Sequence, residues 1–362
     1  MKTTPLNHWH RANNGRMVEF AGWEMPVQYT SIVEEHLAVR KSAGLFDISH
    51  MGRLTFKGET AGEFLNSALT NDVSALRTGD VRYSLICQHD AGIIDDVLVY
   101  RMPDRWELVV NASNRIEVIG WLEHLAGFAS ITFEDHTAAT GMIAVQGPTA
   151  VNLVRELCTT NADTMPYYSA SDVSSEHFSG MISRTGYTGE DGFELIVPSE
   201  QAESVWLKLL SLGAPYGVVP AGLGCRDTLR LEAAMPLYGH ELNLSTDPLT
   251  AGLSFAVRFR KSEYPGKAAL ERIRTTGPTL SRVGLALDGR RIAREGAPVF
   301  IHGTECGHVT SGTFSPTLQK VIAMAYVPVA QATPGQAVEV ELRGTMIAAQ
   351  VVTLPFYKRT RL

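Results

Sequence analysis

The chain lacks most of the features that assign a protein at once. Its four cysteines, Cys87, Cys158, Cys225 and Cys306, are scattered without a CxxC pair, so neither a disulfide framework nor a cysteine zinc site is indicated. No apolar run reaches the roughly 18 residues of a membrane helix, and the start, Met1-Lys2-Thr3-Thr4-Pro5-Leu6-Asn7-His8, has no apolar stretch after its charge. That reads as a cytoplasmic chain without a membrane partner. There is no basic surplus: 32 Lys and Arg against 38 Asp and Glu leave a formal charge of -6, which argues against a general nucleic-acid binder. A nucleophile-elbow GxSxG, an internal repeat and a low-complexity segment are missing too.

What is present is a globular composition, 44% hydrophobic and 19% charged over 362 residues, long enough for two or three domains. Phe20 to Tyr29 mixes aromatics with turn-formers and reads as an ordered loop. Ser31-Ile32-Val33-Glu34 and Thr60-Ala61-Gly62-Glu63 are capping boxes that open helices. Tyr83 to Val110 reads as an antiparallel meander with turns at His89 to Gly92 and at Pro103-Asp104. Helices are expected over Ser113 to Leu125, from Gly147-Pro148-Thr149, over Ser199 to Leu212 and over Gly222 to Ala234. Beyond a boundary near Thr275 to Pro278, six short strands separated by Asp288-Gly289, Gly303-Thr304 and Arg343-Gly344 predict a small all-β barrel or sandwich.

The stretch Gly92-Ile93-Ile94-Asp95-Asp96-Val97-Leu98-Val99-Tyr100 is a mostly apolar strand forced to carry acid. Alternation puts Asp96 on one face with Ile94, Leu98 and Tyr100, and Asp95 on the other with Ile93, Val97 and Val99. The two acids therefore cannot form a side-by-side dyad. Apolar neighbours would raise the pKa of Asp96 and suit it to accept or orient a proton; the plain alternative is a turn-end acid in water.

Glu194 lies in a strand after the glycine-rich turn Gly186 to Gly192. That turn leads to a strand and matches neither GxGxxG nor GxxxxGK(S/T), so a nucleotide loop is rejected. Glu194 can accept a planar N–H/NH2 edge such as an aminopyrimidine, or it can bridge to Arg184 or Arg226. Arg226 stands near a helix start, where the dipole disfavours a cation and a partner is expected; the alternative there is a surface network with Asp227 and Glu232. His302, Cys306 and His308 offer too few ligands for a metal site, and His50 beside Asp47 is a candidate base without a nucleophile.

Six segments together resemble one family. Phe20 to Pro26, Phe46-Asp47-Ile48-Ser49-His50-Met51, the Asp95-Asp96 strand, Gly186 to Gly192, Cys225 to Ala233, and Ser311-Gly312-Thr313-Phe314-Ser315-Pro316-Thr317-Leu318 are similar, in the same order, to the aminomethyltransferases (T-proteins) of the glycine cleavage system. The resemblance implies transfer of a one-carbon unit from the aminomethyl-dihydrolipoyl arm of H-protein to tetrahydrofolate, a co-substrate, giving 5,10-methylenetetrahydrofolate, ammonia and dihydrolipoyl H-protein. It also implies an α+β fold of three domains around a central folate channel. The first would comprise 1–50 and 140–245, the second 51–139 and 246–277, and the third, a C-terminal β-barrel, 278–362.

Position by position, the resemblance makes Asp96 the catalytic aspartate, Glu194 the acid that holds the pteridine edge and Arg226 a folate contact, with Tyr83 and Asn111 near the folate and Arg359 in the C-terminal tail. The Gly-Gly that usually precedes the catalytic strand is Ala91-Gly92 here, a small departure unless that position needs a positive φ. The rival readings are a folate-dependent demethylase of the same fold and a non-enzymatic folate-binding regulator.

Overall fold

The Asp95-Asp96 stretch is the strand Ile93–Arg101, the second of a meander. In the computed structural model, which describes residues 1–158 and 162–359, it belongs to a five-stranded sheet ordered Val81–Cys87, Ile93–Arg101, Trp106–Val110, Gly52–Lys57, Thr132–Asp135. A six-stranded sheet runs Ala170–Ser174, Ser179–Ser183, Gly192–Pro198, Thr140–Gln146, Gly44–Asp47, Val219–Pro220. Its strands come from three distant stretches of chain, so no local pattern could have assembled it. Leu45, Ile143, Val145, Phe193, Leu195 and Val197 bury one face of that sheet against the helices Ala150–Cys158 and Ala202–Gly213, through Leu153, Leu157, Val205, Trp206 and Leu209.

By compactness the chain forms two units. The first holds 1–84, 96–186 and 190–226; the second holds 85–95, 187–189 and 227–362. The second contains the closed six-stranded barrel, ordered Leu280–Leu287, Lys320–Pro328, Thr304–Ser315, Pro298–Ile301, Ala337–Leu342, Thr345–Val352. Every strand expected after the boundary is found, because each carries inward-facing alternation: Val283, Leu285 and Leu287 all point into the barrel core. The helix Lys267–Thr276 ends at Gly277, with φ 79°, where the boundary was expected.

Within the second unit, the turn before the Asp96 strand is clasped tightly. Ile93 N donates to Asn243 O and Thr246 O at 3.1 and 3.2 Å, and a Cβ on Gly92 would lie 1.9 Å from Leu244 O. Gly92 is therefore required by close approach. Ala91, where the resemblance expects the first glycine of the pair, has φ 79° and is fully buried. The departure thus falls on a position that does adopt a left-handed conformation.

Two local readings change. The segment expected to be a loop is a hairpin: Arg16–Phe20 pairs with Trp23–Gln28, and Ala21 and Gly22 form the two-residue turn with φ of 51° and 81°. Pro26 and the aromatic mixture hid an alternation in which Trp23 and Met25 are buried. The two capping boxes also differ. Ser31 Oγ accepts from Glu34 N at 3.2 Å, whereas Thr60 makes no side-chain cap bond. Ser31→Ala is expected to lose about 1 kcal/mol in urea denaturation and Thr60→Ala only a few tenths, although the sequence signatures are equivalent; equal losses would contradict the geometry.

Candidate functional site

Asp96 occupies the more open face of its strand. Asp95, Val97 and Val99 are buried on one side, while Asp96 and Leu98 are half-buried on the other. The carboxylate is held from both sides, by the neighbouring strand Val81–Cys87 and by the residue that follows Trp106–Val110. Tyr83 OH donates to Oδ2 at 3.0 Å and Asn111 Nδ2 to Oδ1 at 2.8 Å. Burial pushes the Asp96 carboxyl above its usual range, and the bonds from Tyr83 and Asn111 pull against that push. The result is a carboxylate locked in orientation by neutral donors, with no cation among its hydrogen-bond partners in the described residues.

Glu194 sits in the six-stranded sheet with Ser183 opposite it on one neighbouring strand and Ala144 on the other. It is 5% exposed. Thr185 Oγ1 donates to Oε2 at 2.5 Å. Burial raises its pKa, while Thr185 and the positive charge of Arg226 lower it. The other cation within reach in sequence, Arg184, is used elsewhere: it forks onto Asp191 at 3.1 and 2.6 Å and reaches Met165 O at 2.7 Å. The turn that delivers Thr185 wraps the buried Gln146 amide, which donates to Thr185 O at 3.0 Å. A Cβ on Gly186 would lie 1.9 Å from Gln146 Oε1, so any larger residue there would displace that amide.

Arg226 lies in the first turns of the helix Leu223–Glu232. The start of that helix is fixed by Glu35, whose carboxylate accepts from Gly222 N at 2.9 Å as well as from Tyr29 N and Thr30 N at 2.6 and 3.1 Å. The half-buried Arg226 guanidinium then acts by charge on both Glu194 and His50. Of the surface network considered for this helix, only Asp227 takes part, pairing with Arg230 at 2.7 Å. Glu232 is buried and accepts from Ser315 Oγ and Thr317 Oγ1 at 2.5 and 2.8 Å.

His50 is buried and driven down to a pKa of about 3, first by burial and then by the charges of Arg226 and Arg53, against the pull of Asp47. It stays neutral and is a feeble base. Asp47 is committed to other groups: His10 Nε2 lies 2.8 Å from Oδ2, Thr4 Oγ1 donates to Oδ2 at 2.6 Å and Ser49 N to Oδ1 at 2.9 Å. Burial would raise the Asp47 pKa, but these contacts hold it at about 2.

Two tyrosines connect the carboxylates. Tyr168 interacts electrostatically with both Glu194 and Asp96, and burial lifts its hydroxyl well above the ordinary value. Tyr100, four residues beyond Asp96 on the same strand face, is wholly buried and is raised by burial and then by the charge of Glu194. Asp96, Tyr83 and Asn111 are therefore in direct contact, and Glu194 and Arg226 share one electrostatic environment with them through Tyr168. Arg359 belongs to the second unit and is half-buried there. Thr185, Ser183 and Tyr168 escaped the sequence reading. Thr185 depends on a cross-strand register, and Tyr168 stands at φ 62° in a segment with no periodic pattern. Among the described residues, no three His, Cys, Asp or Glu side chains gather as a metal site, and no helix is long and apolar enough to cross a membrane.

Against known proteins, residues 6–261 match the GCVT N-terminal domain and residues 281–358 match the glycine cleavage T-protein C-terminal barrel domain. An aminomethyltransferase of Symbiobacterium thermophilum is 44% identical over 366 residues, covering 99% of this chain and 98% of that protein. One from Streptomyces avermitilis is 46% identical over 364 residues, with 99% and 98% covered. The crystal structure of glycine cleavage system aminomethyltransferase T from Bartonella henselae superposes with a TM-score of 0.92 at 37% identity, covering 99% of this chain and 98% of that one. With both domain families present in order and full-length relatives at this identity, the chain belongs to the aminomethyltransferase (T-protein) family of the glycine cleavage system.

Proposed function

We propose that the chain transfers the one-carbon unit of aminomethyl-dihydrolipoyl H-protein to tetrahydrofolate, giving 5,10-methylenetetrahydrofolate, ammonia and dihydrolipoyl H-protein, in the cytoplasm. The observation that carries this reading is the Asp96 carboxylate, half-buried and gripped from both sides by Tyr83 and Asn111, in a chain of this family. Breaking the carbon–sulfur bond leaves an iminium-like carbon that an amine nitrogen of the folate must capture. A carboxylate fixed on a rigid strand and partly shielded from water stabilises that cation, and it orients or deprotonates the attacking amine.

In the same reading Glu194 holds the N–H edge of the pteridine, the chemistry a carboxylate suits best. Its Oε1 carries no hydrogen bond among the described residues, which leaves acceptor capacity for a ligand. Arg226 is assigned to the folate, and its charge keeps Glu194 towards the ionised form. Arg359 adds a guanidinium suited to a carboxylate of the folate's glutamate end. The three-domain division belongs to this reading too. The six-stranded sheet draws only on 44–47, 140–198 and 219–220, the five-stranded sheet on 52–135 and the barrel on 280–352.

The direct test is formation of methylenetetrahydrofolate from lipoylated, aminomethyl-loaded H-protein, run beside dimethylsulfoniopropionate and dimethylglycine as competing donors; turnover with either competitor and none with H-protein would reject the reading. Asp96→Asn is expected to lower kcat by about 100-fold or more with little change in folate affinity. Glu194→Ala is expected to weaken folate binding by roughly tenfold and to leave most of kcat at saturating folate. Equal, small effects of the two changes on turnover would refute the division of roles.

The pH dependence follows from Asp96. The ionised form is the active one, so activity is complete above its raised pKa and is lost as pH falls through it. The Tyr83 bond favours the ionised form, so Tyr83→Phe is expected to move the acid limb of the kcat profile to higher pH. A limb that stays in place would remove Asp96 as its source.

A further inference from the structure

The way Glu194 is held has a consequence for ligand recognition. The register sets Ser183, the last residue of Ser179–Ser183, directly opposite Glu194, and the chain bends at Arg184 to bring Thr185 beside both. Thr185 Oγ1 lies 2.5 Å from Glu194 Oε2, and Ser183 Oγ lies 2.8 Å from Thr185 Oγ1. All three side chains are buried: Ser183 and Thr185 are each 1% exposed and Glu194 is 5% exposed.

A hydroxyl has one proton. Thr185 gives its proton to the carboxylate, so Ser183 must donate to Thr185. The competing acceptor for Ser183, the Glu194 main-chain oxygen, is farther away at 3.4 Å. The Tyr100 hydroxyl lies alongside both Ser183 and Thr185 without a hydrogen bond of standard geometry. Proton direction along the chain is thus set from Ser183 to Thr185 to Glu194 Oε2, and the remaining acceptor sites of the carboxylate stay unspent.

We propose that Ser183 and Thr185 are positioning residues for folate recognition: a two-hydroxyl relay that fixes the rotamer of Glu194 and presents Oε1 to the N–H edge of the ligand. This rests on the assignment of Glu194 to the folate. A neutral relay differs from an ion pair in its effect, because it orients the carboxylate without neutralising it. The charge stays available for the ligand, and the cation adjacent to Thr185 in the chain, Arg184, is occupied by Asp191.

The experiment measures tetrahydrofolate binding by calorimetry as a function of pH, without H-protein, for the full-length protein and four variants. Thr185→Val, which keeps shape and removes the hydroxyl, is expected to weaken binding roughly tenfold. It should also move the acid limb of binding to higher pH, since loss of the donor disfavours the ionised Glu194. Thr185→Ser is expected to restore both to near the parent values. Ser183→Ala is expected to shift the limb in the same direction with a smaller, roughly threefold loss, and it carries the test if the valine variant does not fold. A merely structural role would weaken binding without moving the limb.

Glu194→Gln separates the two readings. It is expected to abolish the acid limb; a limb that persists in it rejects the folate assignment of Glu194 itself. A limb lost in Glu194→Gln but unmoved in both Thr185→Val and Ser183→Ala leaves that assignment standing and overturns the relay.

Discussion

A carboxylate taken out of water must be given hydrogen bonds or surrender its charge, and the first unit of this protein is built around that constraint. Asp47, Glu35 and Glu194 are buried there and Asp96 half-buried, and none is settled by an arginine or lysine ion pair among the described residues. Asp47 is held by a histidine, a hydroxyl and a main-chain N–H; Glu35 by three main-chain N–H groups; Asp96 by a phenol and an amide; Glu194 by a threonine hydroxyl. The neutral donors at Glu35, Asp96 and Glu194 fix direction strongly, since each bond has one good geometry. They leave the negative charge in place.

These acids also organise the chain around the site. Glu35 joins the end of the N-terminal hairpin to Gly222, and so sets where the helix bearing Arg226 begins. Asp47 joins Thr4 and His10 to the strand Gly44–Asp47, which pairs with Thr140–Gln146, the neighbour of the Glu194 strand. Other buried acids are settled by a cation instead: Glu190 of the first unit meets Arg40 at 2.9 Å, and the second unit does the same. Its buried Glu241 faces Arg230 at 2.8 Å and also accepts from Thr310 Oγ1 and Leu237 N at 2.6 and 2.9 Å. Burial raises its pKa, but Arg230 and the hydroxyls prevail and lower it. That carboxylate is spent on structure.

The division between what was legible in the sequence and what was not follows the range of the interactions. The barrel was legible strand by strand, because alternation and turn dipeptides are local. The meander was legible for the same reason, and with it the separation of Asp95 from Asp96 onto opposite faces. The choice between those two acids was not, since periodicity has no sign. It took the family resemblance to name one, and Tyr83 on one flanking strand and Asn111 just past the end of the other give that one its setting. The six-stranded sheet was hidden because its strands are far apart in the chain. Thr185 was hidden because its relation to Glu194 is a matter of register across a strand pair. The capping boxes make the same point on a smaller scale: identical signatures at Ser31 and Thr60 produce a hydrogen bond at one and none at the other.

A raised pKa by itself does not separate working carboxylates from structural ones. Glu35 and Glu107 are raised by burial just as Asp96 and Glu194 are. The distinction lies in how much acceptor capacity remains and where it points. Glu35 divides three main-chain bonds over its two oxygens, and Glu107 takes Thr55 at 2.7 Å on one oxygen and Arg105 at 2.6 Å on the other. Among the described residues Glu194 has one oxygen engaged and one without a hydrogen bond, and the charge of Arg226 opposes the upward push of burial. Asp96 has each oxygen steered by one neutral donor and retains partial exposure. A carboxylate that is buried or half-buried, oriented by neutral side chains and still short of hydrogen bonds keeps acceptor capacity for an incoming group, and Asp96 and Glu194 both meet that condition among the described residues.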